Sequence, residues 1–495
     1  MAVQLLIFTI SLLCSLVLSP VMREFARRCG LVDKPDSHRK LHSQSTPLAG
    51  GIAVYLTVVM VVCGALVVPS SLQLELQSYA IDLLGLLLGM TVLLVVGIVD
   101  DAIKLRGRQK LFGQILAVIV LVANGLLIEQ IGLFGYRVEL GLLSVPFTMF
   151  WILGAINALN LIDGIDGLAT STGIILSMTI AGMALIINQP MEAVLALALA
   201  GALVGFLRYN FPPASMFLGD AGSMLIGLLV GVLAIRTSLK GPATLGLAAP
   251  LAMWAIPILD SGAAILRRKL TGRSIYTTDR GHLHHSLLSL GWTNLQTLGW
   301  ISLFAACTAG GALASVCLGS ELVAFFSVAA VLAVLVSTKV FGHMELSLLN
   351  HRLLTFGKSL MTRPQTSVQQ SAFHLQGTRE WQQLWQSLTA TAEKLNLMQL
   401  SLLLNAPSLG EGFFATWRQS RDLTQEEIMV LELPLRAHGK VVGRLEVKSL
   451  SVDDASCSQL SDILSLLAPM QLSIIRLLES DAFIHPPETI ATSTK

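Results

Sequence analysis

Long apolar runs recur through the first two thirds of this 495-residue chain, and they restrict its fold more than any other feature. A helix needs about 20 apolar residues to cross the roughly 30 Å of hydrocarbon in a bilayer. Of all residues 53% are hydrophobic and only 13% are charged, too few charges to cover the surface of a soluble protein. The sequence therefore predicts an all-α polytopic membrane protein with about 11 transmembrane helices.

The predicted spans are separated by short polar connectors. They cover residues 3–21, 49–68, 82–99, 111–128, 143–160, 170–187, 192–208, 216–235, 243–260, 296–316 and 320–341. A cleaved signal peptide is the alternative for the first span, but no basic residue precedes it, which favours a transmembrane helix.

Lysine and arginine counts predict the orientation of these helices. Connections after odd-numbered spans carry 16 basic residues, whereas those after even-numbered spans carry 3. Basic residues accumulate on the cytoplasmic side of a membrane protein. The N-terminus is therefore predicted outside and the C-terminal part in the cytoplasm, as in a bacterial cytoplasmic (inner) membrane protein.

The composition becomes more polar near Gly342, which predicts a second domain. The boundaries are a transmembrane domain over 1–341, a linker over 342–378, a cytoplasmic α/β domain over 379–480 and a disordered tail over 481–495. Periodicity in the α/β domain predicts helices at 379–397 and 456–478 and strands at 398–404, 413–418, 428–435 and 441–447. This order resembles GAF and PAS sensory domains, and we expect a role in regulation or oligomerisation.

Carboxylates are rare in the predicted membrane domain, and most fall at the cytoplasmic ends of spans. They are Asp100, Asp101, Asp163, Asp166, Asp220 and Asp260. A carboxylate in hydrocarbon costs about 2.5–3.5 kcal/mol, so a single one can simply mark the end of a span. Six at one face predict an acidic site for a metal that prefers oxygen ligands, Mg²⁺ with Mn²⁺ as the alternative.

The segment NALNLIDGIDGLA is the sharpest local signal. Asn157, Asn160, Asp163 and Asp166 recur every three residues, so they share one slowly winding face of a helix end. The intervening glycines allow a ligand to approach the backbone. A helix terminus with glycine caps explains neither the second asparagine nor the repeated Asp-Gly pair.

Five stretches together resemble the polyprenyl-phosphate N-acetylhexosamine-1-phosphate transferase superfamily, in particular its undecaprenyl-phosphate GlcNAc-1-phosphate transferase branch. They are HRKLHSQSTPLAGG, GIVDDAIKLRGRQKLFGQ, NALNLIDGIDGLA, RYNFPPASMFLGDAGSMLIG and PILDSGAAILRRKLTGRSIYTTDRGHLHH. The resemblance extends over residues 1–341. The α/β domain departs from the compact members of that branch.

This resemblance implies roles for individual residues. The implied catalytic residues are Asp100, Asp101, Asp163, Asp220 and His284, with Asp220 and Asp101 as metal ligands. The paired aspartates would hold or deprotonate the lipid phosphate. The implied substrate-binding residues are Lys40, His42, Lys110, Asn157, Asn160, Asp166, Asn210, Phe217, Arg273, Arg280, His282 and His285. Among these, Asp166 would bind uracil, Phe217 would stack on it, and the histidines and arginines would contact the diphosphate and amino sugar.

The implied activity is transfer of an N-acetylhexosamine 1-phosphate, most simply GlcNAc 1-phosphate, from a UDP-sugar to undecaprenyl or another polyprenyl phosphate. UMP is released, in the first membrane step of a cell-envelope polysaccharide such as O-antigen. GalNAc or a deoxy-amino sugar remains an alternative to GlcNAc, and an aspartyl-phosphate intermediate remains an alternative to direct transfer.

The expected partners are UDP-GlcNAc or a related nucleotide sugar, the polyprenyl phosphate, the bilayer and a second copy of the chain, with no nucleic acid. Zinc on His282, His284 and His285 lacks a fourth ligand and is disfavoured. An ion-coupled transporter is the alternative function. Transporter carboxylates lie near the midplane, often within repeated halves, and neither feature is seen here.

Overall fold

The computed structural model describes residues 2–33, 45–68, 71–133, 135–239, 246–270, 281–338, 340–342, 346, 368–376, 381–395, 397–406, 411–419, 428–437, 440–450 and 472. The chain divides into two compact units. One contains Met1–Ile265 and His282–His343, and the other contains Leu266–Gly281 and Met344–Lys495.

Helices dominate the N-terminal part of the chain, and most of them are apolar. They are α1 (Ala2–Cys29), α2 (Gly50–Val67), α3 (Ser71–Ser78), α4 (Ala80–Ile103), α5 (Gly107–Ala123), α6 (Ser144–Ile162), α7 (Leu168–Ile186), α8 (Pro190–Asn210), α9 (Gly219–Leu239), α10 (Ala248–Met253), α11 (Ala255–Leu270), α12 (Leu283–Ser289), α13 (Asn294–Leu318) and α14 (Glu321–Ser337). Eight helices of the described part are long and apolar enough to cross a membrane: α1, α2, α4, α6, α7, α8, α9 and α13. The chain is therefore a multi-pass membrane protein.

The other three predicted spans correspond to shorter helices. Helices α5 and α14 have 17 residues each. The span predicted over 243–260 is broken between α10 and α11 at Trp254. Pro257 explains the break, because proline has no N–H for the carbonyl of Met253 and its ring crowds that carbonyl. The hydropathy is continuous over residues 243–260, so it did not indicate this break.

Pro20 lies inside α1 without ending it. The carbonyl of Leu16, four residues earlier, cannot be bonded by proline. The hydroxyl of Tyr209 in α8 donates to that carbonyl at 3.0 Å. A neighbouring helix thus satisfies the freed backbone group, which an apolar environment requires. The same tyrosine ring carries the guanidinium of Arg23 5.7 Å from its centroid.

Small residues bring α1 and α8 into close contact. The hydroxyls of Ser11 and Ser15 donate to the carbonyls of Ala198 and Ala202. A side chain at Gly201 would overlap the backbone of α1 at Phe8. Close backbone approach of this kind is how apolar helices associate where water provides no driving force.

Two short strand pairs lie in a region predicted to be entirely α-helical, which corrects that prediction in detail. They are β1 (Val32–Asp33) with β2 (Thr46–Pro47), and β3 (Gln130–Leu133) with β4 (Tyr136–Glu139), both antiparallel. A 3₁₀ turn at Gly141–Leu143 follows the second pair.

Three contacts gather the ends of α2, α4 and α9. The N–H groups of Gly50 and Gly51 donate to the carbonyls of Phe217 and Leu218, just before α9. A Cβ on Gly97 of α4 would overlap the backbone of α9 at Ala221. The last turn of α4 is therefore held against the first turn of α9.

The C-terminal unit contains five strands and one described helix. They are β5 (Val368–Gln376), β6 (Gln399–Ala406), β7 (Glu411–Gln419), β8 (Ile428–Ala437), β9 (Lys440–Leu450) and α15 (Gln382–Lys394). The sheet is antiparallel in the order β5-β7-β6-β9-β8. The first helix and the four strands predicted in this region are present.

One face of this sheet packs on α15. Its core includes the buried side chains of Trp381, Trp385, Phe413 and Trp417. Strand β5 lies within the range predicted as linker, so that prediction is wrong there. The Gln- and Ser-rich sequence of this range did not indicate a strand. The predicted helix at 456–478, apart from residue 472, and the predicted tail at 481–495 lie outside the described residues.

Candidate active site

Lys110 is the centre of a buried polar cluster at one end of the helical bundle. Its ammonium nitrogen lies 2.9 Å from Oδ2 of Asp100 and 2.7 Å from Oδ1 of Asp220. It also donates to Oδ1 of Asn160 at 2.9 Å. The first turn of α5 thus joins the last turns of α4 and α6 to the first turn of α9. Four predicted site residues, separated in sequence, meet at one nitrogen atom.

The paired aspartates have different roles. Asp101 accepts hydrogen bonds from the backbone N–H groups of Asp220 at 2.9 Å and Ala221 at 3.2 Å. It therefore caps α9 from a neighbouring helix. A carboxylate is favoured there by the free N–H groups and positive end of the helix. Asp100 accepts the N–H of Leu105 at 2.8 Å with its other oxygen.

Gly219 makes the Asp101 cap possible. Its φ of +75° lies in the left-handed region, which costs glycine little. A Cβ at this position would also overlap the carboxylate of Asp101. The sequence FLGD therefore places Asp220 by means of the glycine before it.

Two asparagines of α6 are bonded to neighbouring helices. Asn160 donates to Asp220 and, at 2.9 Å, to the hydroxyl of Ser223. Asn157 donates at 2.8 Å to the side-chain oxygen of Gln114, which is fully buried. The amide of Gln114 in turn lies 3.4 Å from Asn157 Oδ1. Asn157 consequently ties α6 to α5 one turn below the cluster.

The Asp-Gly repeat forms the turn between α6 and α7. Asp166 accepts the backbone N–H of Ala214 at 2.9 Å and so attaches this turn to the loop before α9. Asp163 is half-buried beside the other acids. Burial raises the pKa of Asp163 to about 8, and the charges of Asp220 and Asp101 add to the rise. Asp163 is therefore mainly protonated at neutral pH in this structure.

The segment His282–His285, called the histidine loop below, begins α12 beside the same turn. Asp260 accepts the N–H of Leu283 at 2.7 Å, and its other oxygen lies 3.0 Å from Nδ1 of His282. His285 lies next to His284, with 4.2 Å between ring centroids. Asp260 thus fixes the start of α12 and the orientation of the His282 ring.

His284 is a neutral, buried imidazole. Neither ring nitrogen has a hydrogen-bond partner among the described residues. Burial lowers the pKa of His284 to about 3, and the adjacent His285 contributes to the shift. A Cβ on Gly164 would overlap the His284 ring. The Asp-Gly turn and the histidine loop therefore touch at a position where only glycine fits.

Asn210 and Phe217 belong to the loop between α8 and α9. Asn210 is buried, accepts from the hydroxyl of Thr170 at 2.7 Å and donates to the carbonyl of Met216 at 3.1 Å. Both ends of its amide thus support the loop before α9, and its role in substrate binding stays a prediction. Phe217 is half-buried, and its backbone N–H donates to the carbonyl of Pro47 at 2.9 Å.

The oxygen atoms around Lys110 fit a magnesium ion by their chemistry. Asp100 and Asp220 supply carboxylates and Asn160 supplies an amide oxygen. Mg²⁺ is commonly held by one or two carboxylates, with substrate phosphates and water completing its shell. Within the described residues, no group of three or more His, Cys, Asp or Glu side chains is arranged around a metal position. Both oxygens of Asp101 accept N–H groups of the α9 cap, and its role as a metal ligand stays a prediction.

Four predicted substrate-binding residues lie outside the described residues: Lys40, His42, Arg273 and Arg280. Two supporting residues, Gln114 and Ser223, were given no role from the sequence. Asp260, predicted for the acidic site, bonds to His282 and to the backbone of Leu283. Gln114 and Ser223 are small polar signals inside apolar helices, four residues after Lys110 and three after Asp220. Helical spacing would place each on the same face as its neighbour in the cluster.

This chain is similar to a known protein family and to several known proteins. The glycosyl transferase family 4 model matches residues 83–238. The chain is 34% identical over 293 residues to a probable undecaprenyl-phosphate N-acetylglucosaminyl 1-phosphate transferase of Bacillus subtilis (strain 168), covering 59% of this chain and 79% of that protein.

Two further relatives have similar names. One is a decaprenyl-phosphate N-acetylglucosaminephosphotransferase of Mycobacterium tuberculosis (strain ATCC 25618 / H37Rv), 33% identical over 323 residues, with 60% of this chain and 78% of the relative covered. The other is an undecaprenyl-phosphate alpha-N-acetylglucosaminyl 1-phosphate transferase of Salmonella typhi, 33% identical over 301 residues, with 58% and 77% covered.

Proposed function

Since this chain belongs to glycosyl transferase family 4, we propose that it transfers N-acetylglucosamine 1-phosphate from UDP-GlcNAc to undecaprenyl phosphate and releases UMP. The observation that carries this proposal is the set of contacts around Lys110. One cation, two carboxylates and an amide oxygen meet where the ends of four helices converge. Such a set supports chemistry between two phosphates.

Transfer of a phosphoryl group depends mainly on position and neutralised charge. A phosphate monoester has a second pKa near 6, so the lipid phosphate is largely a dianion at neutral pH without a strong base. Its oxygen attacks the β-phosphorus of the donor, and the bond to UMP breaks. Mg²⁺ bound by Asp220 and Asp100 would neutralise charge on the diphosphate and on departing UMP.

The protein's own residues supply orientation and a further positive charge. Asp101 fixes the start of α9 and therefore Asp220. Lys110 contacts both carboxylates, and its ammonium suits a phosphate oxygen. The ring of His284 lies beside the Asp-Gly turn, and we propose that it contacts the sugar phosphate.

The donor assignment rests on the relatives, which are named as N-acetylglucosaminyl 1-phosphate transferases, and on the histidine loop. This loop reads His282-Leu283-His284-His285 and resembles the branch that accepts UDP-GlcNAc, whereas the peptidoglycan-precursor branch of the superfamily carries three consecutive histidines. UDP-GlcNAc is the proposed donor, with UDP-GalNAc as the nearest alternative. The same proposal places the site on the cytoplasmic side of a bacterial inner membrane, as the distribution of basic residues supports. We also propose that two copies of the chain form a homodimer.

A transporter function is not supported. The polar cluster joins the ends of α4, α5, α6 and α9 rather than their centres. Coupling ions in transporters bind near the bilayer midplane.

The test uses purified full-length protein, undecaprenyl phosphate, Mg²⁺ and separate UDP-sugars, with UMP release measured. UDP-GlcNAc should give UMP and a lipid-linked sugar diphosphate of matching mass. UDP-MurNAc-pentapeptide should give neither, and omission of undecaprenyl phosphate provides the control. Absence of UMP with every UDP-sugar, from protein that remains folded, would refute the proposed function.

A further inference from the structure

Lys110 uses all of its hydrogen-bonding capacity inside the protein. An ammonium group has three N–H donors and no acceptor. Its three partners are Asp100, Asp220 and Asn160, at 2.9, 2.7 and 2.9 Å. In this arrangement the lysine has no donor left for a substrate phosphate. Any contact with the donor diphosphate requires Lys110 to release at least one of these oxygens.

The same oxygens are those that fit a divalent metal. A metal bound to Asp100 Oδ2 and Asp220 Oδ1 would need the space that the ammonium nitrogen occupies between them. Two cations repel each other strongly at such short distance in a partly buried site. The lysine and the metal therefore compete for one position.

We infer that Lys110 occupies the metal position in the unloaded enzyme, and that metal binding expels its ammonium group toward the donor diphosphate. The inference deepens the proposed function and rests on it, because the expelled lysine would serve the transfer reaction. Charge supports the exchange. Two carboxylates and one ammonium leave the cluster with one net negative charge, whereas a divalent ion neutralises both carboxylates and frees the lysine charge.

The position of Lys110 also suits a short displacement. It lies in the first turn of α5, where the helix dipole disfavours a cation, so the carboxylates hold it there. Its side chain is 16% exposed and that of Asp220 is 30% exposed, so the cluster opens on one side. A flexible four-carbon stem can move the nitrogen through that opening while the backbone stays in place.

The first experiment measures lysine exposure without any donor. Full-length protein in detergent is reductively methylated in EDTA or in Mg²⁺, and modification at each lysine is quantified by mass spectrometry. Mg²⁺ should raise modification of Lys110 severalfold. Lys104, exposed in the same connection, is the control and should not change. Unchanged or lower modification of Lys110 in Mg²⁺ would overturn the exchange.

The second experiment measures metal affinity directly. Mn²⁺ is titrated into wild type, Lys110→Met and Arg108→Met, and bound ion is followed by electron paramagnetic resonance. Lys110→Met should bind Mn²⁺ at least about tenfold more tightly, because the competing charge is gone. Arg108→Met removes the same charge from an exposed position two residues away and should bind like wild type. Weaker or equal binding by Lys110→Met would contradict the inference.

These outcomes separate the exchange from the transfer reaction. If Lys110→Met does not fold without metal, the modification experiment on wild type still decides. Exchange without UMP release from any UDP-sugar would refute the proposed function alone. UMP release without a change at Lys110 would refute the exchange alone.

Discussion

The carboxylate of Asp101 accepts the backbone N–H of Asp220 at 2.9 Å, across 119 residues of sequence. Through this hydrogen bond, Asp101 orients the start of α9 and therefore the carboxylate of Asp220. Asp100, its sequence neighbour, contacts the cluster through Lys110 instead. The pair combines a structural cap with a charged group of the site.

Asp101→Asn should lower both stability and turnover. An amide retains one acceptor oxygen but directs an N–H₂ group at the second backbone N–H, which leaves a buried donor unsatisfied at a cost of about 1–3 kcal/mol. Misplacement of Asp220 should reduce turnover by about 10²–10³. Thermal unfolding and UMP release are measured together. Glu24→Gln, at an exposed position, is the control and should change neither.

Asp220→Asn should reduce turnover to a similar degree, because it weakens the carboxylate set around Lys110 directly. The cap from Asp101 to the α9 backbone does not use the Asp220 side chain, so it should persist. Its melting temperature should therefore stay closer to wild type than that of Asp101→Asn. Near-normal turnover of either variant at saturating Mg²⁺ would remove that residue from the site.

The sequence predicted the convergence of the acids because charge inside an apolar chain is informative. Asp100, Asn160 and Asp220 were predicted for one site and do meet. Hydropathy gave the helices well where their sequences were uninterrupted. It did not reveal the break at Trp254, because a single proline among apolar residues barely changes the average.

The sequence did not predict which residues of the site contact a ligand and which residues hold neighbouring elements in place. Whether an aspartate binds a ligand or caps a helix depends on which backbone N–H groups lie opposite, as for Asp101. Asn210 was predicted to bind substrate from its place in a motif, and the structure adds contacts that the motif did not predict, with Thr170 of α7 and with the carbonyl of Met216. Tertiary contacts decide such roles.

Asp163 predicts a specific dependence of stability on pH. Its pKa is raised from 3.8 to about 8 by burial first and by neighbouring carboxylates second. Between these pH values the folded protein retains a proton that the unfolded chain has lost, so stability falls as pH rises toward 8. In EDTA, the melting temperature of the wild type should fall relative to that of Asp163→Asn as the pH rises through this range. The difference should level off above about pH 8.

The control for this titration is Glu24→Gln, whose melting temperatures should run parallel to those of wild type. If the wild type and Asp163→Asn curves also run parallel, Asp163 does not hold a proton in the metal-free enzyme.

Gly164→Ala should disturb the site through His284. The added methyl group would overlap the imidazole, and forced repacking of this kind costs about 1–3 kcal/mol. Melting temperature and turnover should both fall. A second change, His284→Ala, removes the obstructing ring, so the double variant should recover stability but not turnover.

Gly299→Ala provides the matched control for Gly164→Ala. A Cβ at Gly299 meets no atom within 4 Å, and alanine is favoured over glycine within a helix by about 1 kcal/mol. This variant should be as stable as wild type or slightly more stable. Equal behaviour of the two glycine variants would show that His284 does not occupy the space beside Gly164.

The contact of Tyr209 with Leu16 can be measured as a coupling to Pro20. Tyr209→Phe removes the donor to the Leu16 carbonyl and should cost about 1 kcal/mol. Pro20→Ala restores an N–H four residues after Leu16, so the carbonyl gains a partner within α1. In the Pro20→Ala background, Tyr209→Phe should therefore cost clearly less. Identical costs in both backgrounds would contradict the compensation.

Truncation after Leu360 should leave a transferase domain that folds and releases UMP. Among the described residues, the buried apolar side chains form two clusters: one lies between Ile7 and Phe341, and the other lies between Trp381 and Val447. Each part therefore has its own core, as independently folding domains do. All described contacts of the polar cluster and the histidine loop also lie before Gly291.

The measurement compares the initial rate, UDP-GlcNAc affinity and oligomer mass of full-length and truncated protein in one detergent. An unchanged rate with a smaller oligomer would assign the C-terminal sheet to association between copies. An unchanged rate and oligomer would leave a regulatory role for it. The decisive contrary result is truncated protein that folds and binds UDP-GlcNAc normally but releases no UMP. In that case residues after Leu360 would supply part of the active site, because binding and folding would be intact while only the transfer step was lost.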